Sequence, residues 1–244
     1  MKRLGALALA VALALAAGCS SSSHAGATRH RTLTVFAASS LTKAFTAEGK
    51  AYESAHPGVS VEFSFAGSQS LVAQIKQGAP AGVLATADLA TIDSVQDKLT
   101  GPPQVFAHNQ LALVTAAGNP LKLQSLQDLR RPGLKVVLAG PTVPVGKAAA
   151  KALKAAGVTV HPVSLEDAVA GVVTKVRLGE ADAGIAYVTD LVGAKLGGQP
   201  LPDTTTSLAI AAVAGGPAAD DATSFIAFVR GEAGQKILTS FGFQ

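Results

Sequence analysis

The sequence contains one cysteine, no tryptophan, and few aromatic or charged residues. Of its 244 residues, 5% are aromatic and 15% are charged, while 48% are hydrophobic. A single cysteine cannot form an internal disulfide, so an exported fold would have to be stable through its hydrophobic core alone. Without Lys2 and Arg3 the net charge falls from +4 to +2, and the remaining charges are scattered. This distribution offers no basic surface for nucleic acid.

The sequence also lacks the motifs of common enzyme and metal sites. It has no GxSxG turn, no P-loop and no GxGxxG motif. None of the five histidines has a serine or cysteine partner in a recognisable arrangement, and no group of His, Cys and acids has metal-ligand spacing. We therefore expect a protein that is not an enzyme. The alternative from another class is an exported hydrolase with Ser40 or Ser68 as nucleophile, but it lacks an evident base.

The N-terminus is typical of an export signal. Lys2 and Arg3 precede an apolar run over residues 4–17, which is shorter than the ~20 residues needed to span a bilayer. The ending AAGC resembles a bacterial lipobox, although Ala16 stands where leucine is favoured. We predict a signal peptide over 1–18, a lipidated Cys19 and a flexible tether over 19–31, which anchors the protein extracytoplasmically to the cell membrane. A plain secretory signal with an inert cysteine is the alternative.

From Leu33 onward, predicted strands and helices alternate, which indicates an α/β protein with a largely parallel sheet. Two runs of such units predict two lobes. The C-terminus reads as two helices, over 219–230 and 232–240, split by Gly231. We predict a helix starting at Pro144, another capped by Ser164, and a loop over 197–202. The predicted strands are 33–38, 59–65, 83–86, 110–116, 135–139, 159–163, 182–187 and 207–214.

Four predicted helix starts follow strands and carry small or hydroxyl residues. They lie at Ser39–Ser40, at Gly67–Ser68, at 144–147 and at 166–168. A helix start exposes unpaired N–H groups and a partial positive charge, and small residues let an oxyanion approach them. Each start alone is an ordinary N-cap. Because ligands of open α/β sheets lie beyond the C-terminal strand ends, four together predict an oxyanion site.

Five segments resemble the molybdate-binding proteins of ATP-binding cassette importers. They are TVFAASSLTKAF, FAGSQSLVAQIKQGAPAGVLATAD, PTVPVGKAAAKAL, EDAVAGVVTKVRLGEADAGIAY and GQKILTSFGF, and the resemblance covers nearly all of residues 32–244. It implies the periplasmic binding protein type II fold, in which two α/β lobes, each a mainly parallel sheet flanked by helices, close on an oxyanion in the cleft. With the segment pattern, it predicts lobe I over 32–108 and 207–244 and lobe II over 109–206.

The resemblance also implies the ligand and the partner. The ligand would be molybdate, and usually tungstate, delivered by a monomer without a further cofactor to a membrane permease. The metal would be held only as its oxyanion, with no direct protein ligand. The same fold could instead bind sulfate or phosphate, and a lipoprotein of this fold could serve sensing or adhesion. By motif, the binding groups are the hydroxyls of Ser40, Ser68 and Tyr187 and the backbone N–H groups of Val145 and Ala168.

Some residues depart from the family pattern. Gly82 stands where the family has an acid, and Gln69 stands where a small residue is common. Lys43 and Lys147 lie close in sequence to the proposed donors. We expect them to be solvated helix charges, adding at most a long-range field.

Overall fold

A computed structural model describes residues 30–192 and 194–244 of the chain. The predicted signal peptide, the predicted lipidation site Cys19 and nearly all of the predicted tether lie outside the described residues. Those three predictions therefore stay predictions.

Eight strands and eight α-helices alternate along the described part of the chain, together with three short 3-10 helices, and none of these helices is long and apolar enough to cross a membrane. The strands are β1 (Arg31–Ala38), β2 (Val59–Ala66), β3 (Val83–Thr86), β4 (Gln104–Thr115), β5 (Val136–Ala139), β6 (Ser164–Glu166), β7 (Ala183–Tyr187) and β8 (Gly197–Ala212). The α-helices are α1 (Thr42–Ala55), α2 (Ser68–Lys76), α3 (Leu89–Asp93), α4 (Pro144–Ala155), α5 (Val169–Arg177), α6 (Val188–Leu191), α7 (Ala219–Arg230) and α8 (Glu232–Ser240). The 3-10 helices span Ser39–Leu41, Gln96–Lys98 and Leu126–Arg130.

The strands form one mixed sheet in the order β2-β1-β3-β8-β4-β7-β5-β6. The pairs of β1 with β2 and β3, and of β5 with β6 and β7, are parallel, whereas β8 and β4 pair antiparallel with their neighbours. The α/β class is thus confirmed, and the strands on each side of the β8–β4 pair are parallel, as predicted for each lobe, within a sheet that is mixed overall. The antiparallel pairs arise because β4 and β8 are long strands that run past each other through the centre.

The predicted lobe boundaries fall in the middle of β4 and β8. Asn109 of β4 is in register with Thr206 of β8, and the register shifts between Gln110 and Ala112. The chain therefore passes between residues 32–108 and 109–206, and back to 207–244, on two adjacent strands. We use lobe I and lobe II below for the residue ranges predicted from the sequence.

Local sequence accounts for several helix bounds. Pro144 is the first residue of α4, where its missing N–H costs no hydrogen bond. Gly157 follows the same helix with φ +64, a left-handed conformation that glycine adopts without strain. The bounds of α7 and α8 match the two predicted C-terminal helices, so these predictions are confirmed.

Three predictions between residues 159 and 202 are wrong. The predicted strand over 159–163 is irregular, and β6 instead pairs with β5 one step later, with Ser164 opposite Val137. Pro162 has no N–H to give to a ladder, and the Ser164 hydroxyl donates to Glu166 Oε1 (2.8 Å) rather than capping a helix. The predicted loop over 197–202 is the first part of β8. Its Gly and Pro residues pair with β4, so tertiary pairing overrides their low strand propensity.

The C-terminal helices pack on α1 and the start of β1. The rings of Phe45 and Tyr52 in α1 contact Phe225 of α7, with centroids 6.1 and 5.3 Å apart. Such edge-to-face aromatic pairs add to the hydrophobic gain of burial. The Arg31 guanidinium donates two hydrogen bonds to the Asp221 carboxylate, at 2.8 and 3.1 Å. These contacts join residues 190 positions apart and tie the chain's end to the first strand.

Candidate functional site

Four helix starts converge at the C-terminal ends of the strands. The 3-10 helix at Ser39–Leu41 follows β1, α2 follows β2, α4 follows β5 and α5 follows β6. Between them lies a small cavity, with about 10 Å³ for the centre of a water-sized sphere, which is room for about one such sphere. We call it the anion cavity. It is lined by Ala38, Ser39, Ser40, Ala66, Ser68, Ala87, Val143, Pro144, Val145, Val169 and Tyr187.

The N–H groups at these four helix starts have no side-chain cap within the described ranges. Elsewhere the chain does use caps. Asp88 accepts from the Thr91 N–H at the start of α3 (2.7 Å), and Ser125 forms a capping box with Asp128. An uncapped helix start presents N–H donors and a partial positive charge to whatever lies beyond it. The four starts around the anion cavity are therefore suited to hold an anion.

Two hydroxyls at the anion cavity are buried without a partner. Ser40 Oγ and Tyr187 OH are fully shielded from solvent, and neither makes a hydrogen bond within residues 30–192 and 194–244. A buried polar group left unpaired costs about 1–3 kcal/mol. Because most buried polar groups in proteins are paired, two such hydroxyls at one cavity point to a polar ligand there.

Ser68 has one partner and keeps one donor free. Its side chain is 1% exposed, and its Oγ accepts from the Ala87 N–H at 3.1 Å. Because that bond uses an oxygen lone pair, the hydroxyl proton is available to donate. Ser68 is the first residue of α2, so its proton and the adjacent backbone N–H groups lie at the same end of the helix.

The two predicted backbone donors differ in position. Val145 lines the anion cavity as the second residue of α4, and its side chain is buried in the core. Ala168 is the N-cap residue of α5, while the next residue, Val169, lines the cavity. The structure thus brings four of the five predicted residues to the anion cavity and places Ala168 beside it. The sequence prediction missed the apolar lining at Val143 and Val169, for which side-chain type gave no signal.

Burial keeps the Tyr187 hydroxyl protonated. Burial raises the pKa of Tyr187 well above its ordinary value, the carboxylates of Asp190 and Asp88 raise it further, and Thr206 offsets a small part. The Tyr187 backbone N–H donates to Asp190 Oδ2 at 2.9 Å. Burial also raises the pKa of Asp190 to about 7, opposed by that N–H and by the charge of Lys43. Tyr187 is therefore a hydrogen-bond donor at neutral pH.

Lys43 and Lys147 are exposed, as predicted for solvated charges, but each also makes a contact that the sequence did not predict. Lys147 Nζ lies 2.9 Å from Asp88 Oδ2 and 3.0 Å from Thr91 Oγ1. Lys43 Nζ donates to the backbone oxygen of Val192 at 2.6 Å. In both cases the lysine and its partner belong to different lobes. The lining of the anion cavity itself contains no charged side chain.

The two departures from the family pattern have different consequences. Gly82 lies away from the anion cavity. A Cβ added at Gly82 would meet Leu33 Cδ1 at 2.8 Å and the Pro217 oxygen at 2.9 Å. Gln69 lies next to Ser68 and donates through Nε2 to the backbone oxygen of Asp167 at 2.7 Å. The residue at 82 therefore does not shape the site, whereas the residue at 69 joins lobe I to lobe II.

The two serines of the anion cavity can be compared with the histidines of the described residues. Neither Ser40 nor Ser68 hydrogen-bonds to a histidine within the described part of the chain, and the histidine–serine contacts found there, His108 with Ser207 and His56 with Ser224, lie outside the anion cavity. The described residues also contain no group of three His, Cys, Asp or Glu side chains that could hold a metal ion.

Larger cavities lie elsewhere. A groove of about 510 Å³ in lobe II is bordered by residues 124–127 and 200–204 and is mainly apolar, without converging donors. A cavity of about 220 Å³ adjoins the anion cavity through Ser39 and Ser40 and contains Lys43, Arg177 and Asp190. Neither of these two larger cavities has both buried unpaired hydroxyls from the two lobes and uncapped helix starts. The anion cavity is therefore the better candidate, although it is smaller.

Comparisons with known proteins agree with this geometry. Residues 33–244 match the model of the bacterial extracellular solute-binding protein family. The molybdate-binding protein ModA of Mycobacterium tuberculosis is 43% identical over 229 residues, which cover 90% of this chain and 87% of that protein.

Solved structures show the same fold. The periplasmic molybdate-binding protein of Azotobacter vinelandii superposes with a TM-score of 0.77 at 18% identity, covering 87% of this chain and 98% of that one. The sulfate-binding protein SubI of Mycobacterium tuberculosis gives 0.74 at 21% identity, covering 88% and 86%. The predicted two-lobed periplasmic binding protein type II fold is thus confirmed. The chain belongs to the bacterial extracellular solute-binding protein family and, within it, is a relative of the mycobacterial molybdate-binding protein ModA.

Proposed function

We propose that this protein captures molybdate, and also tungstate, outside the cytoplasm and delivers it to the permease of an ATP-binding cassette importer. The observation that carries the proposal is the pair of buried, unpartnered hydroxyls, Ser40 in lobe I and Tyr187 in lobe II, at one small cavity. The 43% identity to a mycobacterial molybdate-binding protein supports the choice of ion.

The ion would be bound by neutral donors. The hydroxyls of Ser40, Ser68 and Tyr187 and the backbone N–H groups of Val145 and Ala168 would point at its oxygens, and no lysine or arginine lines the cavity. Hydrogen bonds from neutral groups to an ionised acceptor are about twice as strong as neutral pairs. The helix starts add partial positive charge without a mobile side chain. The donor set also contains no acceptor carboxylate, which a protonated phosphate would require.

The small size of the anion cavity favours a compact inorganic ion over an organic anion. Molybdate and tungstate have longer metal–oxygen bonds than the sulfur–oxygen bonds of sulfate, so donors fixed for the larger ions would leave sulfate with stretched hydrogen bonds. Each unmet buried donor costs about 1–3 kcal/mol, and two of them correspond to roughly thirtyfold or more in affinity.

Donors from both lobes imply closure around the ion. Ser40 and Ser68 belong to lobe I, and Val145, Ala168 and Tyr187 to lobe II, with β4 and β8 as the connection between the lobes. Closure of two lobes about connecting strands is a hinge motion. The closed form would then be the form that the permease recognises. The monomer would remain at the membrane through lipidated Cys19 and the tether over 19–31.

Isothermal titration tests the choice of ion. We expect tight binding of molybdate and tungstate and at least about a hundredfold weaker binding of sulfate, because donors arranged for the larger ions would leave sulfate with stretched hydrogen bonds. A thermal-shift screen with molybdate, tungstate, sulfate, phosphate and chromate gives an independent ranking, since a ligand of the folded state raises its melting temperature. Equal affinity for sulfate would contradict the size argument and favour the sulfate alternative.

A further inference from the structure

We infer that Lys147 and Gln69 are positioning residues for anion capture, which hold the two lobes closed over the ion without touching it. The inference rests on the proposed function, because it concerns affinity for an ion between the lobes. Both side chains reach across the cleft, and neither lines the anion cavity. Each lies within two residues of a proposed donor: Lys147 follows Val145 in α4, and Gln69 follows Ser68 in α2.

Lys147 joins α4 of lobe II to the start of α3 in lobe I. Its ammonium contacts the Asp88 carboxylate and the Thr91 hydroxyl at 2.9 and 3.0 Å. The Asp88 side chain is 21% exposed and that of Lys147 39% exposed, so water screens the pair only in part. A lysine in the first turns of a helix is unfavourable against the helix dipole unless it is paired. The pair therefore favours the closed arrangement of the lobes.

Gln69 makes a second contact between the lobes. Its amide donates to the backbone oxygen of Asp167, the residue before Ala168. Beneath this bond, the Asp167 oxygen approaches Gly67 so closely that a Cβ at 67 would lie 2.3 Å from it. Gly67 has φ −61 and ψ 136, which any residue adopts. An alanine at 67 would thus keep an ordinary backbone conformation, but its Cβ would collide with the Asp167 oxygen of lobe II when the lobes close. It would also displace the flexible Gln69 side chain, whose Nε2 and Oε1 would lie 2.6 and 2.8 Å away.

These contacts act on affinity through the population of the closed form. An ion that binds the closed form has an apparent affinity reduced by the fraction of protein that is not closed. Removing a contact that exists only between closed lobes lowers the closed fraction while every donor to the ion stays in place. We expect Lys147→Ala and Gln69→Ala each to weaken molybdate binding several-fold to about tenfold, and Gly67→Ala at least about tenfold.

Asp88→Asn separates closure from a field effect. If Lys147 acted on the dianion through its charge, removing the carboxylate that partly neutralises it would tighten binding. If Lys147 acts by holding the lobes together, the same substitution weakens binding about as much as Lys147→Ala. Asparagine is as good an N-cap as aspartate, so α3 keeps its cap. The two roles therefore predict changes of opposite sign.

The experiment is isothermal titration of molybdate and tungstate into the wild type and these four variants, with melting temperatures measured without ligand and small-angle scattering measured with and without it. Lys151→Ala, an exposed lysine one turn later in α4, controls for loss of charge. Gly140→Ala controls for a methyl group near the cleft, because a Cβ there meets its neighbours only at 3.7 Å or more. We expect both controls to bind like the wild type.

The outcomes distinguish the inference from the proposed function. Weaker binding by all four variants, with unliganded melting temperatures close to the wild type and a larger radius of gyration at equal ligand concentration, supports the inference. Unchanged affinity of Lys147→Ala and Gly67→Ala, or tighter binding by Asp88→Asn, overturns it. A wild type that binds neither ion overturns the proposed function. In that case, the inference is overturned as well if the unliganded variants have the same radius of gyration as the unliganded wild type.

Discussion

Replacing Ser40 and Ser68 together by alanine is expected to weaken molybdate binding by at least about 2 kcal/mol, roughly thirtyfold. Each substitution removes a hydroxyl that would donate to the ion. Tyr187→Phe removes the third hydroxyl and should weaken binding in the same way. Isothermal titration of each variant measures the change.

The same substitutions should have a different effect on the unliganded protein. Ser40 Oγ and Tyr187 OH are buried without partners among the residues described, so their removal should leave the melting temperature without ligand unchanged or raise it. Ser68→Ala should lower it slightly, because the Ala87 N–H loses its acceptor. Side chains that lower the stability of the unliganded protein but raise its affinity for molybdate are expected at a functional site.

Ser39→Ala is the matched control for Ser40→Ala. Ser39 is adjacent and only half-buried, and its side-chain oxygen is not among the buried atoms without a partner. We expect it to bind molybdate within about twofold of the wild type, because its hydroxyl can stay hydrated. An unchanged dissociation constant for the Ser40 and Ser68 double variant would refute the site assignment. Equal losses for Ser39→Ala and Ser40→Ala would refute the distinction between the two serines.

The second large effect is expected at Glu48 in α1. Its side chain is 0% exposed, and neither carboxylate oxygen has a hydrogen-bond partner in the described structure. Burial raises its pKa from 4.5 to about 8. We expect Glu48→Gln to raise the melting temperature at pH 8 by on the order of 10 °C, because on folding the wild type must then either bury an unpaired charge or take up a proton from solution.

The direction of the pH dependence follows from the raised pKa. Between pH 4.5 and about 8 the folded state holds a proton at Glu48 that the unfolded state has lost. Stability therefore falls as pH rises through this window, by about 5 kcal/mol in total and about 3 kcal/mol by pH 7. Asp190, with its pKa raised to about 7, contributes a loss of the same sign. Glu48→Gln should remove the larger part of the slope and leave the smaller.

Thermal melts of the wild type and Glu48→Gln from pH 4.5 to 8.5 measure this effect. Glu48→Met tests the packing separately, because it replaces the buried polar group by an apolar one of similar length and should be at least as stable as Glu48→Gln. Glu62→Gln, at an exposed glutamate of β2, is the control and should keep the wild-type pH dependence. A Glu48→Gln profile parallel to that of the wild type would contradict the assignment.

The sequence alone determined the elements whose signals are local. The period of hydrophobic residues predicts most strands and helices, Pro144 predicts the start of α4, and Gly231 predicts the break between α7 and α8. The motifs around Ser40, Ser68, Val145 and Tyr187 select residues that the fold brings to one cavity. These signals are readable because propensity, capping and motif spacing depend on residues that are close in sequence.

The tertiary structure alone decided the contacts between distant segments. It extended β8 through the Gly- and Pro-containing stretch at 197–202, because β4 supplies hydrogen-bonding partners there. It made Lys147, expected only as a solvated helix charge, and Gln69 contacts between the lobes. It left Ser40 and Tyr187 buried without partners, and it buried Glu48 as well. Whether a polar side chain is solvated, hydrogen-bonded or buried without a partner depends on what the fold packs against it. The spacing of residues along the chain does not encode this.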